Sequence, residues 1–368
     1  MYKTLFYIEH LYHRAGLDPV YRALKNSGKF KIDFLAGRDA QRKFLFFNRS
    51  LKKQIEQDIK RNGGNIAEST SGYDLVVTGD LVRSPQKFKN AMLVFINHGT
   101  GIKTILYRLL EKQQNTSYLI FVEGEYRKQK ILEHDVQGKS QIEVVGYPKL
   151  DPFFNGAYDR DKILNSIGLD PDLPTLIYAP TYKPTSIDYI KDEIFSQCRD
   201  INLIIKLHQY SWRGKYAPSW HHQIYQRNIG NFKKAYLVPG NDYNIMPYLA
   251  ASDVLLTEAS STMFEFLAMG KTGIIYDLPC DRLKHTDGQS ILDEDNRNFL
   301  ENTFIHINSP DHIKDGFNQA INPPPEYLNN AENWRKKLFY KLDGKASERI
   351  CSNILDKFST GEYKKLLI

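Results

Sequence analysis

Cysteine is scarce in this chain of 368 residues. There are three, Cys198, Cys280 and Cys351. Three cannot build a disulfide framework, and none is paired at metal-ligand spacing. A reducing cytoplasm fits them. Long apolar runs are missing as well: no stretch approaches the ~20 residues that span a bilayer as a helix. The opening MYKTLFYIEHLYHRAG is too polar for a signal peptide. There is no zinc pattern, no basic helix with heptads and no RNP-like aromatic strand, so nucleic acid is not the expected partner. Internal repeats are absent, and Pro323-Pro324-Pro325 is the one biased tract. The expectation is a cytoplasmic protein, soluble or peripheral on the inner face of the cell membrane.

What is present is enough for two cores. Hydrophobic residues make up 41% and aromatics 12%, and the length is too great for one compact core. The formal charge of +7 suggests an anionic partner: a phosphorylated substrate, a polyanionic polymer or an acidic membrane face. The basic segment 42–60 is the candidate for membrane or polymer contact, although a solvated lysine-rich surface explains the same charge.

Strand and helix patterns alternate along most of the chain, which predicts parallel sheets. In the first half, strands are expected at 3–8, 31–36, 75–78, 92–97, 118–122 and 143–145. Helices are expected at 17–27 and 44–62. Prolines and glycines then punctuate 148–174, with one short helix at 159–167. A second set follows, with strands at 175–179, 202–207, 235–238, 254–257 and 273–276 and helices at 188–199 and 245–252. Two helices, 327–340 and 347–358, close the chain. The predicted organisation is an N-terminal Rossmann-like domain (1–150), a linker (151–174), a second domain (175–325) and terminal helices (326–368) crossing back to the first. The fold class is α/β: two doubly wound domains facing a cleft, as in GT-B transferases. An epimerase or a periplasmic binding protein shares that plan, and the polar opening counts against the latter.

Residues 251–277, ASDVLLTEASSTMFEFLAMGKTGIIYD, are the most informative. An apolar strand runs into a hydroxyl-rich turn, a short helix, a glycine stop and another strand. Ser260, Ser261 and Thr262 stand at the helix start, where unpaired N–H groups and the helix dipole favour anions. An ordinary βαβ unit capped by serine reads the same way. Glu265, inside that helix, is placed to accept ribose hydroxyls or to face solvent. His98, with Gly99, Thr100 and Gly101, follows an apolar strand: a histidine at a strand's carboxyl end is well placed as a general base, and the glycines can expose N–H groups to phosphate. A tight turn with a structural histidine is the plainer alternative. His208 ends a second strand, and period-two alternation puts Lys206 on its face. Thr181 and Lys183, in YAPTYKP, offer a hydroxyl and a cation to phosphate. Lys149 and Asp151 close the first half, and Lys345 and Arg349 stand around the start of the last helix; all four are further cleft candidates, with hinge salt bridges and helix capping as the alternatives.

Taken in order, these motifs resemble the CDP-glycerol glycerophosphotransferase family, which builds teichoic-acid and related capsule backbones. The segments are HGTG (98–101), GYPKLD (146–151), YAPTYK (178–183), KLH (206–208), TEASSTMFEF (257–266), GKTGIIYD (270–277) and DGKASERI (343–350). The resemblance implies a GT-B fold and two essential histidines, which map to His98 and His208, and a phosphate-contacting turn at Ser260 and Ser261. The family commonly has aspartate-tyrosine before the serines, where Glu258-Ala259 stand here; tryptophan before the first histidine, where Asn97 stands; and proline after the second, where Gln209 stands. DGKASER is also similar to the tail of UDP-sugar 2-epimerases.

The expected function is transfer of phosphoglycerol or a related phosphopolyol from a CDP-linked donor to a hydroxyl of a glycan or lipid-linked primer, releasing CMP. His98 is the expected base. Ser260 and Ser261, with neighbouring N–H groups, hold the pyrophosphate, and His208 with Lys206 or Lys183 stabilises departing CMP. No metal site is evident and no tightly bound cofactor is expected, while Mg²⁺ carried by the donor diphosphate is compatible with the reading. The alternatives are an inverting glycosyltransferase using a UDP- or CMP-linked sugar, and a non-catalytic polyanion-binding protein.

Overall fold

The structure is a computed structural model. It describes all residues except 38–39, 44–46, 214–216, 219, 285–287, 293–298 and 368; the side chains of 40–43, 47–50 and 280 are also left undescribed. The chain divides into two compact units. The first comprises 1–100, 105–155 and 337–368, and the second 101–104 and 156–336.

The first unit holds a six-stranded sheet in the order Phe30–Ala36, Tyr2–Ile8, Leu75–Thr78, Met92–Ile96, Leu119–Val122, Gln141–Val144. Every pair is parallel. Leu75–Thr78, Met92–Ile96 and Leu119–Val122 are buried at every position, as expected of parallel strands covered on both faces. The chain reverses direction across the sheet between Tyr2–Ile8 and Leu75–Thr78. Ligands bind open α/β sheets at such a reversal, outside the carboxyl ends of the strands.

The second unit repeats the plan with the order Ala235–Leu237, Asn202–Ile205, Thr175–Tyr178, Val254–Thr257, Gly273–Tyr276, Ile305–Ile307. It is also wholly parallel. Its reversal lies between Thr175–Tyr178 and Val254–Thr257. Two doubly wound Rossmann-like units with C-terminal helices are the fold class expected from the sequence.

Three details differ from expectation. The segment 44–62 is not one helix: Ala40–Lys43 and Phe47–Ser50 pair as antiparallel strands, and the helix is Lys52–Arg61. Ile55 and Ile59 alone give the helical spacing, and both lie in Lys52–Arg61. Residues 44–46 of that segment lie outside the described residues. The helix expected at 188–199 is broken into Ile187–Ile190 and Glu193–Gln197 by Lys191, whose φ is +45°. The second sheet also has a sixth strand, Ile305–Ile307, too short to stand out as a pattern.

The last helix, Ala346–Thr360, belongs to the first unit. It buries Ala346, Ile350, Cys351, Ile354 and Phe358, a stripe at helical spacing that packs beside Arg14–Asn26. Fully burying each large apolar side chain contributes about 1.5–3 kcal/mol. Leu367 bridges to Met92, on the Met92–Ile96 strand. No helix among the described residues is long and apolar enough to cross a membrane.

Candidate functional site

Each unit gathers polar residues at its own chain reversal. In the first, Tyr2–Ile8 runs out into His10, Leu75–Thr78 into Gly79 and Asp80, and Met92–Ile96 into Asn97 and His98. His98 is half-buried, and its Nδ1 lies 2.7 Å from the Gly79 carbonyl oxygen. A carbonyl can only accept, so Nδ1 carries the proton and Nε2 presents a lone pair. The ring packs on His13 at 4.5 Å between centroids and on Tyr12 at 5.3 Å. Tyr147 donates to the His98 carbonyl at 2.8 Å. Burial pushes the His98 pKa below 6.5; Asp80 and the Gly79 carbonyl act against that, while His10 and Lys149 reinforce it. The net effect favours the neutral imidazole a base requires. Lys149 therefore acts in this cluster through its charge.

The neighbouring candidates have other work. Thr100 is fully buried and donates to Glu123 at 3.0 Å. Glu123 also accepts from Arg127 at 3.2 Å. Gly99 is tied to the Asn97 side chain through both its carbonyl and its N–H. Gly101 belongs to the second unit, with φ at +95°, and a Cβ there would run into the Phe264 ring. Both constraints demand glycine.

Asp151 is buried and accepts from the Ala346 and Ser347 N–H groups at 3.0 and 2.7 Å and from the Ser347 hydroxyl at 2.5 Å. It caps the last helix from 195 positions away in sequence. Arg349 forms a two-pronged pair with Asp343 and donates to the Val145 carbonyl at 2.7 Å. Lys345 is exposed, and with Arg349 it lines a shallow groove of about 340 Å³ on that helix.

In the second unit, Ser260 caps Ser261–Ala268, its Oγ accepting from the Thr262 N–H at 3.3 Å and the Thr262 hydroxyl at 2.9 Å. Ser261 and Thr262 are half-buried. Gly270 ends the turn after the helix with φ at +79°. Glu258, without an assigned role from sequence patterning, organises this end of the sheet. Its buried carboxylate accepts from the Thr181 N–H at 2.8 Å, the Thr181 hydroxyl at 3.2 Å, the Ser186 N–H at 3.1 Å and the Ser186 hydroxyl at 2.9 Å. Burial raises its pKa, and those four donors oppose the shift. Thr181 is thus committed to Glu258 and to the Pro184 carbonyl. Lys183 is exposed.

Glu265 is not on a solvated helix face: it is fully buried. Its charge and that of Glu258 act on Lys103, whose pKa burial lowers to about 8. Lys206 is buried too, and its ammonium donates to the Asp242 carbonyl at 2.8 Å. The strand ends at Ile205, so alternation does not carry Lys206 and His208 to one face. His208 is half-buried against Tyr182 at 4.6 Å and Tyr210 at 4.9 Å. Its Nδ1 accepts from the Tyr210 N–H at 3.2 Å. A neutral His208 therefore holds its proton on Nε2, the opposite assignment to His98.

Two features escaped the sequence reading. His10, His13 and Asp80 each bring one ligand atom within 4.8 Å of the others. That set can hold a divalent ion, and it was invisible in the sequence because Asp80 arrives from a different strand. In the second unit a cavity of about 790 Å³ opens beside Gly273–Tyr276 and Ile305–Ile307, lined by Tyr189, Tyr276, Tyr327, Asp277 and His306. It needs the short strand that sequence patterning missed.

Comparisons with known proteins agree with the fold of the two units. Solved structures of the wall teichoic acid polymerase TagF are similar to this chain. One, a variant soaked with CDPG, gives a TM-score of 0.69 at 15% identity, covering 98% of this chain and 89% of that one. Another gives 0.67 at 16% identity over the same shares. The UDP-GlcNAc 2-epimerase from Neisseria meningitidis, bound to UDP-GlcNAc, gives 0.58 at 13% identity, covering 96% of this chain and 100% of that one. At these identities the likeness shows the fold alone. No curated protein sequence matches the chain. The profile of the CDP-glycerol:poly(glycerophosphate) glycerophosphotransferases matches residues 70–356. With most of its length inside that match, the chain belongs to the CDP-glycerol:poly(glycerophosphate) glycerophosphotransferase family.

Proposed function

We propose that this enzyme moves phosphoglycerol from CDP-glycerol onto a hydroxyl of an anionic glycan or lipid-linked polymer, with His98 as the base and His208 as the donor to the leaving group. The acceptor oxygen attacks the phosphorus that bears glycerol. The hydroxyl proton passes to Nε2 of His98. The bond from that phosphorus to the bridging oxygen breaks, and CMP leaves with its new charge hydrogen-bonded by Nε2–H of His208. Ser260, Ser261, Thr262 and the N–H groups of their helix start hold the diphosphate. Lys183 adds positive charge from the loop after Thr175–Tyr178. Phosphoryl transfer depends mainly on positioning and charge stabilisation, so these groups suffice. Mg²⁺ carried by the donor diphosphate is an accessory cation in this scheme.

One observation carries the assignment of roles. Backbone groups hold the two imidazoles in opposite protonation patterns: the Gly79 carbonyl takes the Nδ1 proton of His98, and the Tyr210 N–H fills the Nδ1 lone pair of His208. The first leaves a base and the second leaves a donor.

The decisive experiment supplies purified protein with CDP-glycerol, CDP-ribitol and several nucleotide sugars, together with acceptor, and identifies the released nucleotide by mass. CMP from CDP-glycerol is the expected product, whereas UDP from a nucleotide sugar would replace this reading with glycosyl transfer. His98→Ala should lower CMP release by about 10²–10⁴-fold. His208→Ala should lower it by about 10²–10³-fold. Either variant keeping its activity within about tenfold would remove that residue from the mechanism. Chelation of free Mg²⁺ in the same assay tests the accessory cation.

We further propose work at the inner face of the cell membrane, supported by the net charge of +7 and by the exposed Lys52, Lys53, Lys60 and Arg61 of the Lys52–Arg61 helix. Binding to acidic vesicles that fails to weaken in high salt would contradict an electrostatic attachment.

A further inference from the structure

His13 is the least expected side chain in the first unit. It is 0% exposed, and neither of its ring nitrogens has a hydrogen-bond partner among the described residues. Buried polar groups in folded proteins are almost always satisfied, and one left unpaired costs roughly 1–3 kcal/mol. An imidazole buried this deeply, with neither nitrogen paired to protein, has donor atoms to offer a ligand.

The surroundings say what that is. One ligand atom each from His10, His13 and a carboxylate oxygen of Asp80 lie within 4.8 Å of one another. His10 is 6% exposed and Asp80 is half-buried. The His10 and His13 rings are 5.1 Å apart and nearly perpendicular, at 89°. Asp80 is held in place: its Oδ1 accepts from the Leu81 N–H at 2.8 Å, and its backbone carbonyl accepts from the Thr78 hydroxyl at 2.7 Å. Ligands about 2.0–2.2 Å from one ion lie roughly 3–4.4 Å from each other, so closing the set needs side-chain shifts of about 1 Å or less. All three residues follow sheet strands that flank the chain reversal.

We propose that His10, His13 and Asp80 form a binding site for one divalent transition-metal ion of the Zn²⁺, Mn²⁺ or Co²⁺ class, beside His98. Two imidazoles and one carboxylate suit those ions, whereas Mg²⁺ and Ca²⁺ prefer all-oxygen shells. The site is distinct from any Mg²⁺ carried by the donor. Three protein ligands leave positions open for water or a substrate oxygen. The His13 ring lies 4.5 Å from that of His98, so an ion here adjoins the residue assigned to acceptor activation. The inference stands on the cluster alone and does not depend on the transfer chemistry.

The test uses full-length protein stripped by chelation and then titrated with Co²⁺, followed by its visible d–d absorption and by calorimetry. One equivalent should bind, Zn²⁺ should displace it, and excess Mg²⁺ should not. Asp80→Asn and His13→Ala should each weaken Co²⁺ binding by about tenfold or more. Circular dichroism establishes that each variant is folded. If His13→Ala does not fold, Asp80→Asn decides alone. Absence of stoichiometric binding, or binding unaltered in the folded variants, would overturn the proposal. Displacement of Co²⁺ by Mg²⁺ at equal concentration would overturn it as well.

Discussion

Single residues here carry more than one obligation. Glu258 satisfies two N–H groups and two hydroxyls from the loop after Thr175–Tyr178. Truncating it leaves those donors facing nothing, so Glu258→Ala should cost roughly 3 kcal/mol, read as a lower urea midpoint. Glu258→Gln keeps part of the network and should cost less. Gly101→Ala sets a side chain against Phe264 at positive φ and should cost about 2 kcal/mol or more, read as a fall in melting temperature. At this scale the sequence was partly legible. His98 and His208 stood out because each ends an apolar strand, and Ser260 because it precedes a helix. Glu258 did not, because an acidic residue among small polar ones reads as solvated until burial is known; Glu265 was noted for ribose contact or a solvated face, and its full burial was not foreseen. Asp80 and His13 were silent for a different reason: nothing in local spacing says that two separate strand ends meet.

Elements were read best where a pattern was long or punctuated. Leu75–Thr78, Val254–Thr257 and Gly273–Tyr276 fall where their apolar runs lie, because parallel strands buried on both faces leave an unbroken signature. Ile305–Ile307 has only three residues, with His306 between its isoleucines, and carries no such mark. The strand Phe47–Ser50 was absorbed into a helix because its basic character continues into Lys52–Arg61 without a break. The cap of Ala346–Thr360 was also hidden: Asp343 and Ser347 advertise local capping, whereas the carboxylate at the Ala346 and Ser347 N–H groups is Asp151. Asp151→Ala should therefore destabilise the first unit by about 1–2 kcal/mol, measured by chemical denaturation. Ser347→Ala, which keeps both N–H bonds to Asp151, should cost less.

For the molecule as a whole, buried histidines tie stability to pH. The His221 side chain is 1% exposed and its Nε2 lies 3.0 Å from Asp188. Burial lowers its pKa below 6.5, and Asp188 only partly compensates. Below pH 6.5 the unfolded chain takes up a proton that the folded chain resists, so acidification favours unfolding. The urea midpoint should fall between about pH 7.5 and 5.5, and His221→Asn should make that slope shallower. Sequence length and alternation were sufficient to expect two sheets, because those follow from chain-wide periodicity. The chain's final partners were harder to foresee. Residues 337–368 lie with 1–100 and 105–155, and Leu367 bridges to Met92. During synthesis the ribosome must therefore complete the second unit's share before supplying the helix that finishes the first. The earliest sheet to be made waits longest for its covering, a stage at which its bare flank invites capture by chaperones or by another nascent chain.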